Sequence, residues 1–347
     1  MISINSNESL FKCEYCNVEF LSRNKLFKHL KVCTTNNDRI EELVENNNNN
    51  NNLNTLLLNE ISKYVDVMII VSGGRVRGRT LKSMECYSFK RNKWEIITSM
   101  KYHRGSHGMV SNNNELYVIG GGGLESNISN CEKFNTKNNE WESIASTPSC
   151  RHALSVVKTN NTIYAIGGWI DGIQCSNACE RYDINTNLWT ICESMKFPRR
   201  LLGVCYHKKD NCLYTFGGSI NDGEWFSNIA ECYNIESNIW IRKKDCSISG
   251  AASCISIDDY IYVFIHGKSV FRYDPVIDEY LFQCNLPLTD WNCFTVTSLA
   301  NLIFLSGGAT KETYQSFWCY HTDLNQWMEM PSMLKQRRRA ASSLVIE

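Results

Sequence analysis

From Val65 to the C-terminus, short apolar runs alternate with polar breaks rich in glycine and asparagine. Five of the runs end in paired glycines: IIVSGG at Ile69–Gly74, LYVIGG at Leu116–Gly121, IYAIGG at Ile163–Gly168, LYTFGG at Leu213–Gly218 and IFLSGG at Ile303–Gly308. A sixth, IYVFIHG at Ile261–Gly267, keeps a single glycine. Apolar runs of this length, bounded by turn residues, read as buried strands, and their recurrence every few tens of residues marks a repeat architecture. Downstream of each run comes an aromatic, six residues and a second aromatic: Tyr87/Trp94, Phe134/Trp141, Tyr182/Trp189, Tyr233/Trp240, Tyr273/Tyr280 and Tyr320/Trp327. A gap that stays constant while the preceding loop changes length is what two adjacent strands joined by a tight turn impose. Asparagine-rich turns such as Asn135–Asn138 and Asn185–Asn187 sit inside it.

Each unit thus offers four short strands, too few to bury both faces alone, so the units are expected to stack around an axis. The pairs Gly73/Gly74, Gly120/Gly121, Gly167/Gly168, Gly217/Gly218 and Gly307/Gly308 let the chain bend and let backbones approach closely. Trp94, Trp141, Trp189, Trp240 and Trp327 fill the space between neighbouring sheets. A double glycine followed by a spaced Tyr and a spaced Trp resembles the kelch family, over residues 65–347. The resemblance implies an all-β, six-bladed propeller, with blades at 65–100 plus 340–347, 101–147, 148–196, 197–246, 247–286 and 287–339. The fifth is the most degenerate, with His266 in the glycine motif and Tyr280 for the Trp. The first unit starts at its double-glycine strand and lacks the strand that precedes it elsewhere. The tail, Ala340–Ile346, matches Gly105–Val110 and Ala153–Val157 and is expected to complete that blade.

The region before the repeats divides into a cysteine-bearing segment, 1–35, and a polar linker, 36–64, with an asparagine run from Asn46 to Asn52 that cannot bury a core. Leu53, Leu57 and Ile61 fall at helical spacing, so a short amphipathic helix leads into the repeats, either packed on them or dimerising. Cys13, Cys16, His29 and Cys33 form C-x2-C-x12-H-x3-C, a donor set that closes a tetrahedron on one structural zinc ion. In so short a segment metal binding would supply the folding energy. With Phe20 and Leu26 as its apolar residues and a helix starting near Ser22, the segment resembles a ββα zinc finger whose last histidine is replaced by Cys33. The alternative is unrelated cysteines in a disordered tail. By resemblance, Ser22, Lys25 and Lys28 would read bases, but one finger reads about three base pairs. Residues 1–35 carry five Lys/Arg against three Glu, a weak nucleic-acid footprint. Fingers with this ligand set that bind ubiquitin often carry an acid before the last cysteine, where this chain has Leu30-Lys31-Val32.

Composition adds limits. The 347 residues carry 36 Lys+Arg against 36 Asp+Glu, which removes any whole-chain electrostatic attraction to nucleic acid or membrane surfaces. Seventeen cysteines, an odd count in a long chain without an apolar leader, fit reduced thiols and an intracellular, cytoplasmic or nuclear protein. No stretch reaches the roughly 18 apolar residues of a membrane span.

Ten residues beyond each closing aromatic stand Arg104, Arg151, Arg199, Gly250, Asp290 and Arg337. The resemblance places these loops, with those following the glycines, around one mouth of the central channel, the face on which kelch domains receive peptides. Arginine suits that use because its planar fork grips a carboxylate with two parallel hydrogen bonds. The expected docking set is Arg104, Arg151, Arg199, Arg200 and Arg337, with Arg75, Arg77, Trp169, Trp225 and Phe226 from the loops after the glycines, and an acidic or phosphorylated peptide or protein as partner. The alternative is that each is an ordinary solvated loop residue. No Walker loop, Gly-x-Ser-x-Gly or compact His/Tyr copper site is evident, so an interaction module is expected rather than an enzyme or a small-molecule binder. Two other readings stay open: a nucleic-acid-associated regulator using the finger, and a ubiquitin-pathway substrate adaptor with the finger as its second contact. The 65 residues before the first blade are fewer than the cullin-recruiting domain that such kelch adaptors usually carry.

Overall fold

The computed structural model describes residues 2–4, 11–13, 19–20, 67–123, 128–170, 174–220, 226–310 and 314–346. The chain divides into two compact units, Met1–Val67 and Met68–Glu347. In the first, Phe11–Cys13 pairs antiparallel with both Ile2–Ile4 and Glu19–Phe20.

The second unit contains six four-stranded antiparallel sheets, and no helix occurs among the described residues. Blade 1 orders its strands Ala341–Ile346, Val67–Ser72, Met84–Ser88, Lys93–Ile97 from the inside outward. Blade 2 runs Gly108–Asn112, Glu115–Ile119, Cys131–Asn135, Glu140–Ile144; blade 3 Ser155–Lys158, Thr162–Ile166, Cys179–Asp183, Leu188–Ile191; blade 4 Gly203–His207, Cys212–Phe216, Ala230–Asn234, Ile239–Lys243. Blade 5 comprises Ala252–Ile257, Tyr260–Ile265, Ser269–Asp274 and Glu279–Asn285, and blade 6 Asn292–Leu299, Leu302–Ala309, Phe317–His321 and Gln326–Glu329. Each innermost strand neighbours that of the next blade, and the tail strand lies between those of blades 6 and 2, so the circle is closed by a first blade made from both ends of the repeat region. The second strands of blades 1 to 4 run up to the double glycines and are buried on both faces, which is why their sequences are largely apolar rather than alternating.

The six-residue gap is a register. Tyr87 faces Trp94, Phe134 faces Trp141, Tyr182 faces Trp189, Tyr233 faces Trp240, Tyr273 faces Tyr280 and Tyr320 faces Trp327 across the outer hairpins. The turn between them places Asn92, Asn139, Asn187, Asn238, Asp278 or Asn325 at positive φ, a conformation that Asn and Asp tolerate. The tyrosine then donates to that residue's Oδ1, as Tyr233 does to Asn238 at 2.6 Å. The aromatics also hydrogen-bond directionally between blades. Trp94, Trp189, Trp240 and Trp327 donate Nε1–H to carbonyls of the preceding blade or its exit loop (Pro331, Ala145, Glu193 and Asn285, 2.7–3.1 Å). In blade 5 the Tyr280 hydroxyl does the same to Lys244 at 3.0 Å, so the departure from Trp keeps the donor.

The glycine pairs sit where loops cross. Gly217, at φ +60°, would bring a Cβ within 2.6 Å of the Gly250 carbonyl. The second glycine of each pair donates its N–H to the loop entering the following innermost strand: Gly74 to Arg104, Gly121 to Arg151, Gly168 to Arg199, Gly218 to Gly250 and Gly308 to Arg337. In blade 5 Gly267 donates to Trp291, which identifies Gly267 as the second glycine and His266 as the replacement of the first.

Candidate functional site

Six lead-in loops meet at one end of the channel. In five of them the residue that enters the innermost strand adopts positive φ without the freedom of glycine: Ser106, Ala153, Leu201, Cys293 and Arg339. The reason is a circle of backbone hydrogen bonds between blades. Ser106 N–H donates to Arg339 O, Ala153 to Ser106, Leu201 to Ala153, Ala252 to Leu201 and Arg339 to Cys293, at 2.8–3.1 Å. At the seam of blades 5 and 6 a side chain stands in: Cys293 N–H donates to His266 Nδ1 at 3.1 Å. The imidazole proton therefore sits on Nε2, 2.9 Å from Ser253 Oγ. Burial holds the His266 pKa down to about 3, so the ring is neutral. His107, at the seam of blades 1 and 2, contacts Ser72 Oγ at 2.8 Å and is lowered to about 3 by burial and then by the charges of Arg104 and Arg337. Below this collar lies a cavity of about 200 Å³ between the innermost strands.

The four recurrent arginines do not face this opening. Arg104, Arg199 and Arg337 have no exposed surface and Arg151 1%. Each is spent on a carboxylate of its own blade: Arg104 on Glu132 at 3.0 Å, Arg151 on Glu180 at 2.7 Å, Arg199 on Glu231 at 2.8 Å and Arg337 on Glu85 at 2.5 Å. Arg104, Arg199 and Arg337 also donate Nη1–H to the carbonyl of a first glycine, Gly120, Gly217 and Gly73. The carboxylates take further donors from the adjoining loop, the backbone N–H of Lys101 for Glu132 and of Lys196 for Glu231. Desolvation lowers the pKa values of all four arginines, Arg199 to about 10, against the opposing pull of the paired carboxylates. The expectation that Arg104, Arg151, Arg199 and Arg337 grip a partner is thus corrected: they are internal cross-braces whose carboxylate partner is already in place. Glu85, Glu132, Glu180 and Glu231 were legible, since each stands two residues before its blade's first aromatic, in the same four units that carry the arginine. The units with Gly250 and Asp290 have Phe271 and Trp318 there. In blade 6 the place belongs to Trp291 rather than exposed Asp290: its buried indole donates to Gly307 O at 2.8 Å.

Other expected docking residues do lie on this face. The hairpin Arg75–Thr80 of blade 1 meets the lead-in loop of the tail through an Arg75/Arg338 bridge, with Arg75 N–H donating to Arg338 O at 2.8 Å. This collects Arg75, Arg77, Arg79, Arg338 and Arg339, of which Arg77 and Arg79 are exposed. Among the described residues none forms an ion pair with Arg77, Arg79, Arg338 or Arg339. Two blades on, the Arg200 guanidinium stacks 4.4 Å over the Trp169 ring, so Trp169 is largely covered. Phe226 is 44% exposed and bridges Ser219 through its backbone. Trp225 lies outside the described residues. So do Cys16, His29 and Cys33, while Cys13 ends the strand Phe11–Cys13. Among the described residues no group of three His, Cys, Asp or Glu side chains is placed to hold a metal ion.

Comparison with known proteins agrees with this architecture. The KLHDC2/KLHL20/DRC7 Kelch-repeats domain family matches residues 59–267, and the Kelch motif matches residues 291–334. A RING finger domain and kelch repeat-containing protein of Dictyostelium discoideum is 34% identical over 92 residues, 26% of this chain and 9% of that protein. Kelch-like protein 35 of Mus musculus is 25% identical over 270 residues, 76% of this chain and 37% of its own. Kelch-like protein 26 of Danio rerio is 35% identical over 60 residues, 17% and 10% of the two chains. The alignments therefore span well under half of each relative's length.

Proposed function

The chain belongs to the KLHDC2/KLHL20/DRC7 kelch-repeat family, and from that premise we propose that it is a non-catalytic, intracellular interaction module whose lead-in face docks an acidic or phosphorylated segment of a protein partner. One observation carries this reading: the arginines of blade 1 and the tail, Arg77, Arg79, Arg338 and Arg339, gather beside the channel mouth without a carboxylate partner among the described residues. A charged cluster of one sign attracts and orients an anionic ligand, and a guanidinium binds carboxylate or phosphate in a two-point fashion. Exposed Phe226, three blades around the ring in the loop of blade 4, offers a separate apolar contact to the same partner. The test is binding of acidic and phosphorylated peptide pools to the full chain, compared with neutral pools. Arg77→Glu with Arg79→Glu and Arg338→Glu should abolish capture, and wild-type capture should weaken with salt. Equal binding of neutral pools, or unchanged capture by the triple variant, rejects the reading.

The N-terminal segment fits a second contact. Cys13, Cys16, His29 and Cys33 together make a thiolate and imidazole donor set suited to one zinc ion, whose role would be structural. One relative carries a RING finger beside its kelch repeats by name. A ubiquitin-pathway adaptor, with this segment contacting other machinery, extends the same proposal. Metal analysis of the full chain should return one zinc per molecule, reduced in Cys16→Ser.

A further inference from the structure

Blade 3 sets two thiols face to face. Cys179 opens its third strand, and Cys192 directly follows its outermost strand, Leu188–Ile191. The register that pairs Glu180 with Ile191 continues one step, where Cys192 N–H donates to the Cys179 carbonyl at 2.9 Å. Directly opposed residues of this kind have Cα atoms about 5.5 Å apart and share a face of the sheet. That separation lies within the range a disulfide spans. The shared face is the seam toward blade 4, where Cys179 is wholly buried and Cys192 is 7% exposed, in one cluster with Met195, Leu202 and Tyr233. Blade 4 offers an internal contrast. Cys212 faces Asn234 and Cys232 faces Tyr214, so these two sulfurs also touch, but from diagonal positions about 7–8 Å apart at Cα, too far to bridge without moving the backbone.

We propose that Cys179 and Cys192 form a dithiol that hydroperoxides oxidise to a disulfide, with Cys192 as the attacking sulfur and Cys179 as the resolving one. The two thiols differ in the required direction. Contact with Cys179 lowers the Cys192 pKa and raises that of Cys179, and Cys192 is also the more accessible sulfur, 7% exposed against 0% for Cys179. The Tyr233 hydroxyl proton is committed to Asn238 Oδ1 at 2.6 Å, which makes Cys179 the donor that matters. A thiolate near neutral pH is the reactive form, whereas a thiol raised by burial alone, such as Cys319, is inert.

The chemistry balances. The Cys192 thiolate attacks one oxygen of hydrogen peroxide; the O–O bond breaks, the sulfur becomes a sulfenic acid and the departing hydroxide takes up a proton to leave as water. The Cys179 sulfur then attacks the sulfenic sulfur, the S–O bond breaks, and the thiol proton leaves with the hydroxyl as a second water. Peroxide is reduced and two thiols are oxidised. A thiol reductant reverses the product by exchange.

The experiment treats the full chain, in a Cys150→Ser background that removes the one exposed thiol among the described residues, with hydrogen peroxide, then blocks remaining thiols and identifies linked peptides by mass spectrometry. The expected product is a Cys179–Cys192 crosslink that forms ahead of any Cys212–Cys232 link and disappears on reduction. In Cys179→Ser the intermediate should be trapped, so dimedone labels the Cys192 peptide at least tenfold more than the Cys319 peptide. Absence of the crosslink in the otherwise unaltered chain overturns the proposal even should the serine variant fail to fold. Equal dimedone labelling of Cys192 and Cys319 in a folded variant overturns the assignment of the attacking sulfur.

Discussion

Arg199 shows what a recurrent charged residue does once its surroundings are known. Its guanidinium reaches the Gly217 and Ile229 carbonyls, Thr215 Oγ1 and Glu231 Oε2, and neither member of the ion pair touches solvent. Removing one partner leaves a buried charge uncompensated, so Arg199→Ala or Glu231→Ala should each lower stability by about 3–5 kcal/mol in denaturant unfolding. Arg199→Met combined with Glu231→Leu should lose much less than the sum. The buried histidines give a pH dependence. His107 and His266 titrate near pH 3 when folded and near their ordinary value of 6.5 when unfolded. Between those values the unfolded chain holds protons that the folded chain refuses. Stability is therefore full above pH 6.5 and falls as the pH drops below it, by up to about 1.4 kcal/mol per pH unit for each ring. Urea midpoints from pH 7.5 to 5 should show this slope, and His107→Gln with His266→Gln should flatten it.

At the scale of the element, the outer hairpin of each blade is a connector to its neighbour as well as a pair of strands. Trp240 Nε1 reaches Glu193 O at 2.7 Å, whereas Trp141 Nε1 has no acceptor. Trp240→Phe should accordingly destabilise more than Trp141→Phe, by about 0.5–1.5 kcal/mol for the lost hydrogen bond. Tyr280→Phe should cost about the same, while Tyr280→Trp restores a donor at that place. Thermal melting of the variants ranks them. The aromatic spacing made the hairpins and their register legible in the sequence, because the two rings must stand opposite each other. The indole acceptors were not, because they lie on a different blade, some 40 residues or more away in the chain.

For the whole molecule, closure depends on a strand borrowed from the tail. Ala341–Ile346 supplies the innermost strand of blade 1 and packs between blades 6 and 2. Deleting residues 340–347 should leave two open sheet edges and abolish cooperative unfolding, and a truncated chain that melts like the intact one would contradict this closure. That closure was readable from the repeat alone: the count of apolar runs, the strand missing before the first and the matching stretch at the end are all linear facts. The direction in which Arg104, Arg151, Arg199 and Arg337 point was not. A position in a repeat fixes where a backbone goes, but whether a long charged side chain turns to solvent or inward depends on which carboxylate waits beneath it. Glu85 and Arg337 stand 252 residues apart. The sequence by itself determined the strands, their number and their circular order, because burial demands them locally in every unit. Only the tertiary structure decided which charges neutralise one another inside and which, like Arg77 and Arg79, are left at the surface, because electrostatic pairing acts through distances in space that the order of residues does not specify.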